Sequence, residues 1–155
     1  MVGQVGATRP RRTISAVEPA RVPVDARRAI ARADAELAAA AVADDPAERF
    51  VHAHLGALRA AAAVVVLRGR PARARSRSVW DLLADVEPEL APWSVYFASG
   101  ARVRAAVDAG RFDVVDARRA DELLACAEDF RDEAAMLVDP DTGFARLPGV
   151  RTAAS

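Results

Sequence analysis

Small apolar residues recur every three or four positions across "DARRAIARADAELAAAAVA" (25–43), and this feature constrains the chain more than any other. Ala29, Ile30, Ala33, Leu37, Ala40 and Ala41 fall on one face of a 3.6-residue helix, with Arg and Asp on the other. The same period returns in three later segments, and no stretch alternates with a period of two for long enough to make a strand. "FDVV" (112–115) has strand character but is too short and isolated to build a sheet.

Helix punctuation divides the chain. Asp44-Asp45-Pro46 ends the first helix and starts the second, with Asp45 as cap, Pro46 at the first helical position and Glu48 completing a capping box. The second helix runs from Pro46 to about residue 67, until Gly69 and Pro71 break the pattern. Ser78 followed by Asp81 starts a short helix through "VWDLLADV". Pro88 opens the next, which Gly110 stops, and the last runs from about Asp116 to Val138. The prediction is an all-α, antiparallel bundle of four long helices plus one short helix, spanning 23–138. Residues 1–22, mixing Gly, Pro, Arg and Thr without period, are expected to be a disordered tail, and 139–155 a second tail.

A single cysteine, Cys126, excludes an internal disulfide and suits a reducing cytoplasm. The first residues lack the apolar core of a secretory signal. The longest apolar run, 60–67, is far short of the roughly 20 residues that cross a bilayer. A cytoplasmic protein without membrane contact is expected.

Charge is balanced in total but uneven along the chain. Up to Arg77 there are fourteen arginines against seven acids, and from Ser78 onward eight against fifteen. Either a basic face attracts phosphate, or oppositely charged helices attract each other or a second copy; overall neutrality favours the latter. "RGRPARARSR" (68–77) offers Arg70, Arg73, Arg75 and Arg77 as candidate contacts to nucleic acid or nucleotide. No aromatic residue is interleaved to stack on bases, and the alternative is a solvated loop tip or one paired with acids of the last helix.

Both histidines lie in "ERFVHAHLGALR" (48–59). With Phe50 at zero on a helical wheel, His54 falls at about 40°, amid Leu58, Ala61 and Val65, and His52 at about 200°, beside Arg59. Arg49 and His54 diverge by about 140°, so on a straight helix they do not point at one place. His54 therefore reads as a core or interface histidine, with one ring nitrogen bonded to a neighbouring helix. The two-residue spacing also splits the histidines as a metal pair; no metal and no cofactor is expected. No serine-nucleophile elbow or phosphate-cradling glycine loop is present. Trp80, Trp93, Tyr96 and Phe97 read as core, with Trp93 and Phe97 on one face.

"AHLGALRAAAAVV" (53–65), "RSVWDLL" (77–83), "PELAPWSVYFASGARVRA" (88–105) and "ADELLACAEDFRDEAAML" (120–137) together resemble an actinobacterial family of HEPN domains (higher eukaryotes and prokaryotes nucleotide-binding). The resemblance covers about 24–138 and implies a bundle of four to five helices that commonly dimerises through two of them. It also implies that many members are RNases of toxin–antitoxin or defence systems. Their signature is an arginine followed after four to six residues by a histidine, in the later part of the bundle, with two chains building one site. Here that spacing occurs at Arg49 and His54, in the second helix, and no histidine follows. The expected function is a non-catalytic, homodimeric binding module contacting RNA or nucleotide. The alternative is a metal-independent endoribonuclease in which His54 acts as acid or base. Arg49, or Arg59 from a partner chain, would stabilise the phosphorane.

Overall fold

The computed structural model describes residues 23–70 and 77–141, of which 87% are helical. Five α-helices follow in order: α1 (Val24–Val42), α2 (Pro46–Arg68), α3 (Val79–Val86), α4 (Ala91–Asp108) and α5 (Ala117–Val138). No described residue lies in a strand. "FDVV" forms a 3-10 turn over Phe112–Val114, with Val115 buried behind it.

Helix ends follow the punctuation. The Asp45 carboxylate accepts the Glu48 backbone N–H at 3.0 Å, with Pro46 leading α2. The Ser78 hydroxyl accepts the Asp81 N–H at 3.1 Å and caps α3; the Asp116 carboxylate accepts the Arg119 N–H at 2.8 Å and caps α5. Each cap satisfies a donor that the first turn leaves without an intrahelical partner. At the end of α4, Gly110 has φ 91°. Its N–H reaches the Val107 carbonyl and the Arg111 N–H reaches that of Ala106, the paired bonds of a Schellman motif. The sequence placed the start of this helix at Pro88. Instead Pro88–Leu90 is a separate 3-10 turn, and α4 begins at Ala91 with Pro92 in its first turn.

The long helices run up, down, up and down. Glu36 meets His52, while further along Ala26 clusters with Ala63, so α1 and α2 are antiparallel. Phe50 lies against Gly100 and His54 against Phe97, so α2 and α4 are antiparallel as well. Trp93 bonds Glu133 while Tyr96 lies by Arg119, which sets α5 against α4. The antiparallel bundle expected from sequence is the fold.

At the centre of this bundle, α2 packs on each of the other four helices. Its buried residues are mostly alanine, with Phe50, His54, Gly56, Val64 and Val65 between them. Small side chains let neighbours come close: a Cβ on Gly56 would lie 2.6 Å from Leu37 Cδ2 on α1. An 18-residue window of α2 has a mean hydropathy of 1.7, and by length and composition alone it could cross a membrane. Yet 56% of that apolar window is buried among the other helices, the burial of a core helix.

Bulk comes from aromatics on α3, α4 and α5. Phe97 is fully buried between Trp80, stacked at 5.2 Å, and Trp93, stacked at 5.7 Å, with Phe130 at 5.4 Å. Trp93 is half-buried, and its indole N–H donates to Glu133 at 3.1 Å. This cluster ties α3, α4 and α5 together where the alanine-rich α1 and α2 offer little side-chain volume.

Candidate functional site: the His54 cluster

The α2 stripe predicted from sequence turns His54 inward, and the imidazole is 1% exposed. Phe50 lies parallel to it at 6.3 Å, while Trp80 and Phe97 meet it edge-on at 6.1 and 6.5 Å. Both ring nitrogens are used. Nε2–H donates to the Phe97 backbone carbonyl at 2.8 Å, and Nδ1 accepts from Arg104 Nη1–H at 3.2 Å. A neutral imidazole protonated on Nε2 satisfies both bonds, because a guanidinium only donates and a carbonyl only accepts. Burial holds the His54 pKa below its ordinary 6.5; the Phe97 carbonyl opposes that shift and the Arg104 charge adds to it.

Gly100 leaves room for this arrangement. A Cβ there would sit 3.1 Å from His54 Cδ2, closer than ordinary contact, and 3.4 Å from Nε2. Phe97, Gly100 and Arg104 share one face of α4 at helical spacing, so a single face supplies the carbonyl, the gap and the guanidinium. An arginine does meet His54, but it is neither of those singled out from sequence. The i, i+3, i+7 face with a glycine at its centre was the available signal for Arg104.

Arg49 is directed elsewhere. Its guanidinium bonds Asp121 on α5 and donates to the Ala43 carbonyl at 2.6 Å, locking the α1–α2 turn to α5. Arg59 is exposed on α2 and makes no hydrogen bond or ion pair among the described residues. His52 lies on the opposite side from His54, where Nδ1–H donates to Glu36 at 2.8 Å and Glu48 stands 3.9 Å from Nε2. The structure thus brings together neither Arg49 with His54 nor the two histidines.

Of the basic segment, Arg73 and Arg75 lie outside the described residues. Arg70 is exposed. Arg77 bonds Asp85 at 2.5 Å and the Asp81 carbonyl at 3.4 Å, which folds it back on α3. Arg68, at the head of the segment, bonds Glu87 at 3.1 Å. The loop ends are therefore paired with acids of α3 and its cap.

One buried charge was not anticipated. Arg131 on α5 is 7% exposed and grips Asp34 on α1 with two bonds, Nε to Oδ1 at 2.6 Å and Nη2 to Oδ2 at 2.9 Å. Nη1 reaches Asp132 at 3.2 Å. These carboxylates raise the Arg131 pKa further, so the guanidinium is permanently charged.

The chain is thus an all-α up-and-down bundle with an inward histidine on its central helix and an aromatic wedge from α3, α4 and α5. The family model described as SAV_6107-like HEPN matches residues 38–135, and the chain belongs to that family. No curated protein and no solved structure matches.

Proposed function

We propose that the chain is a non-catalytic HEPN-type binding module. It acts in the cytoplasm as a homodimer and contacts RNA or a nucleotide through Arg70, Arg73, Arg75 and Arg77. One observation carries the non-catalytic reading: the imidazole is enclosed and both its nitrogens are committed within the bundle. General acid–base work on a ribose hydroxyl needs a ring nitrogen within hydrogen-bond reach of substrate. Arg49 is likewise held by a carboxylate and Arg59 is exposed; of the basic segment, Arg70 is exposed, and Arg77 would exchange its Asp85 partner for a phosphate.

One distance favours a second reading. Arg104 stands 3.2 Å from His54, the juxtaposition a metal-independent endoribonuclease would use, with the guanidinium steadying a phosphorane and the histidine moving the proton. An RNA-cleavage assay without metal separates the two, run on wild type and on the His54→Ala, Arg104→Ala and Arg49→Ala variants. No cleavage by any of them is expected. Wild-type cleavage lost in the His54 and Arg104 variants, with helical circular dichroism retained, establishes the nuclease. For the basic segment, RNA affinity should fall with salt and weaken in the double variant Arg73→Ala/Arg75→Ala. Sedimentation should give twice the 16.5 kDa chain mass.

A further inference from the structure

We infer that His54 and Arg104 form an acid-released latch: the neutral imidazole holds the Arg104 guanidinium against the α2–α4 seam, and protonation of the ring lets it go. The geometry makes the two ring nitrogens unequal. Nε2 carries a proton in either charge state and keeps its bond to the Phe97 carbonyl. Nδ1 is an acceptor only while the ring is neutral, and Arg104 depends on it. Once Nδ1 is protonated, two donors and two positive charges face each other across 3.2 Å.

The two partners also differ in freedom. The ring is enclosed by Phe50, Trp80 and Phe97 and anchored on its far side, so it stays. Arg104 is only partly buried and has no carboxylate within ion-pair distance among the described residues, so its guanidinium is the partner with room to move towards solvent.

Among the described residues, no group facing the ring cancels this response. From α4 the charged group is Arg104 itself; from α3 the ring is faced by the uncharged indole of Trp80, which does not titrate. On its own helix the neighbour is Phe50, over whose ring α5 places the Arg119 guanidinium at 5.8 Å, another cation. No carboxylate among the described residues acts on His54 to favour its charged form. Burial shifts the transition below the ordinary histidine range, which keeps the latch closed at neutral pH. The latch goes beyond the proposed binding role and holds whether or not RNA is bound or cut.

Nitrogen-detected NMR of the full chain tests it. At neutral pH the His54 ring should show the Nε2–H tautomer, with Arg104 Nη and Nε protons protected from exchange. On acidification the ring should titrate below 6.5, and Arg104 should lose its protection at the same midpoint while backbone amides stay folded. The His54 midpoint should move up in Arg104→Ala, where the repelling charge is gone. In His54→Phe the Arg104 signals should become insensitive to pH. An Nδ1–H tautomer, Arg104 signals unmoved as the ring titrates, or protonation seen only with global unfolding would each overturn the latch. The cleavage assay is blind to all three results, so this inference and the binding reading fail separately.

Discussion

Removing Asp34 and removing Arg131 are different experiments. The Arg131 side chain is 9% exposed, whereas that of Asp34 is 43% exposed. Asp34→Ala leaves a buried guanidinium with only Asp132, and should cost about 1.5–3 kcal/mol, the range for hydrogen bonds to charged groups. Arg131→Met leaves a carboxylate that water can reach, and should cost less; urea unfolding of the two variants gives the comparison. His54 contributes a pH dependence of definite sign. Its folded pKa lies below 6.5, so the unfolded chain binds the proton more tightly. Stability is therefore full above 6.5 and falls as pH drops from there towards the folded value, a slope that His54→Phe should remove. Tyr96 works in the other direction: burial first, and the neighbouring Cys126 thiol second, push its phenol up to about 12. The fold favours the neutral form, so this contribution is present below 10 and is lost as pH rises through 12. Tyr96 is the chain's single tyrosine, and phenolate absorbance should report that late titration alone. From sequence, the inward turn of His54 was legible because its own helix fixes it. Asp34 was not, because pairing across helices depends on which faces meet; for Arg104 the periodicity marked the face it shares with Phe97 and Gly100, but not that this face meets His54.

At the scale of elements, helix boundaries were the most legible part of the sequence. Asp45, Ser78, Asp116 and Gly110 act locally, through bonds spanning three to five residues, so no tertiary knowledge is needed to read them. Asp45→Ala should cost about 1 kcal/mol by thermal unfolding. The start of α4 was less legible, since Pro88 and Pro92 both suit a first turn and the chain uses them for two different elements. The seam between α1 and α2 rests on an absent side chain. Gly56→Ala would force Leu37 and its helix aside, and overpacking of this kind should cost about 1–3 kcal/mol, although alanine is the better helix former. A stabilised variant would mean that Leu37 rotates away freely.

For the whole molecule, the uneven charge along the sequence resolves into contacts within one chain. Arg27, Arg49, Arg68 and Arg77, from the basic half, bond Asp139, Asp121, Glu87 and Asp85 from the acidic half. These pairs are mostly exposed, each worth about 0–1 kcal/mol, so they steer helix partners more than they hold them. Cohesion comes from the aromatic wedge and the buried face of α2. Because Trp80 and Trp93 both flank Phe97, tryptophan fluorescence and helical circular dichroism should report one coincident transition. Phe97→Ala should move both together, by about 3–5 kcal/mol. The burial of α2 has a consequence for the chain before it has folded, or after it comes apart. An 18-residue window of it is then exposed, of about the length and apolar composition that bilayers accept. Weakened variants should accordingly be lost to misrouting and clumping as well as to simple melting, and the remaining four helices serve this one as a sheath.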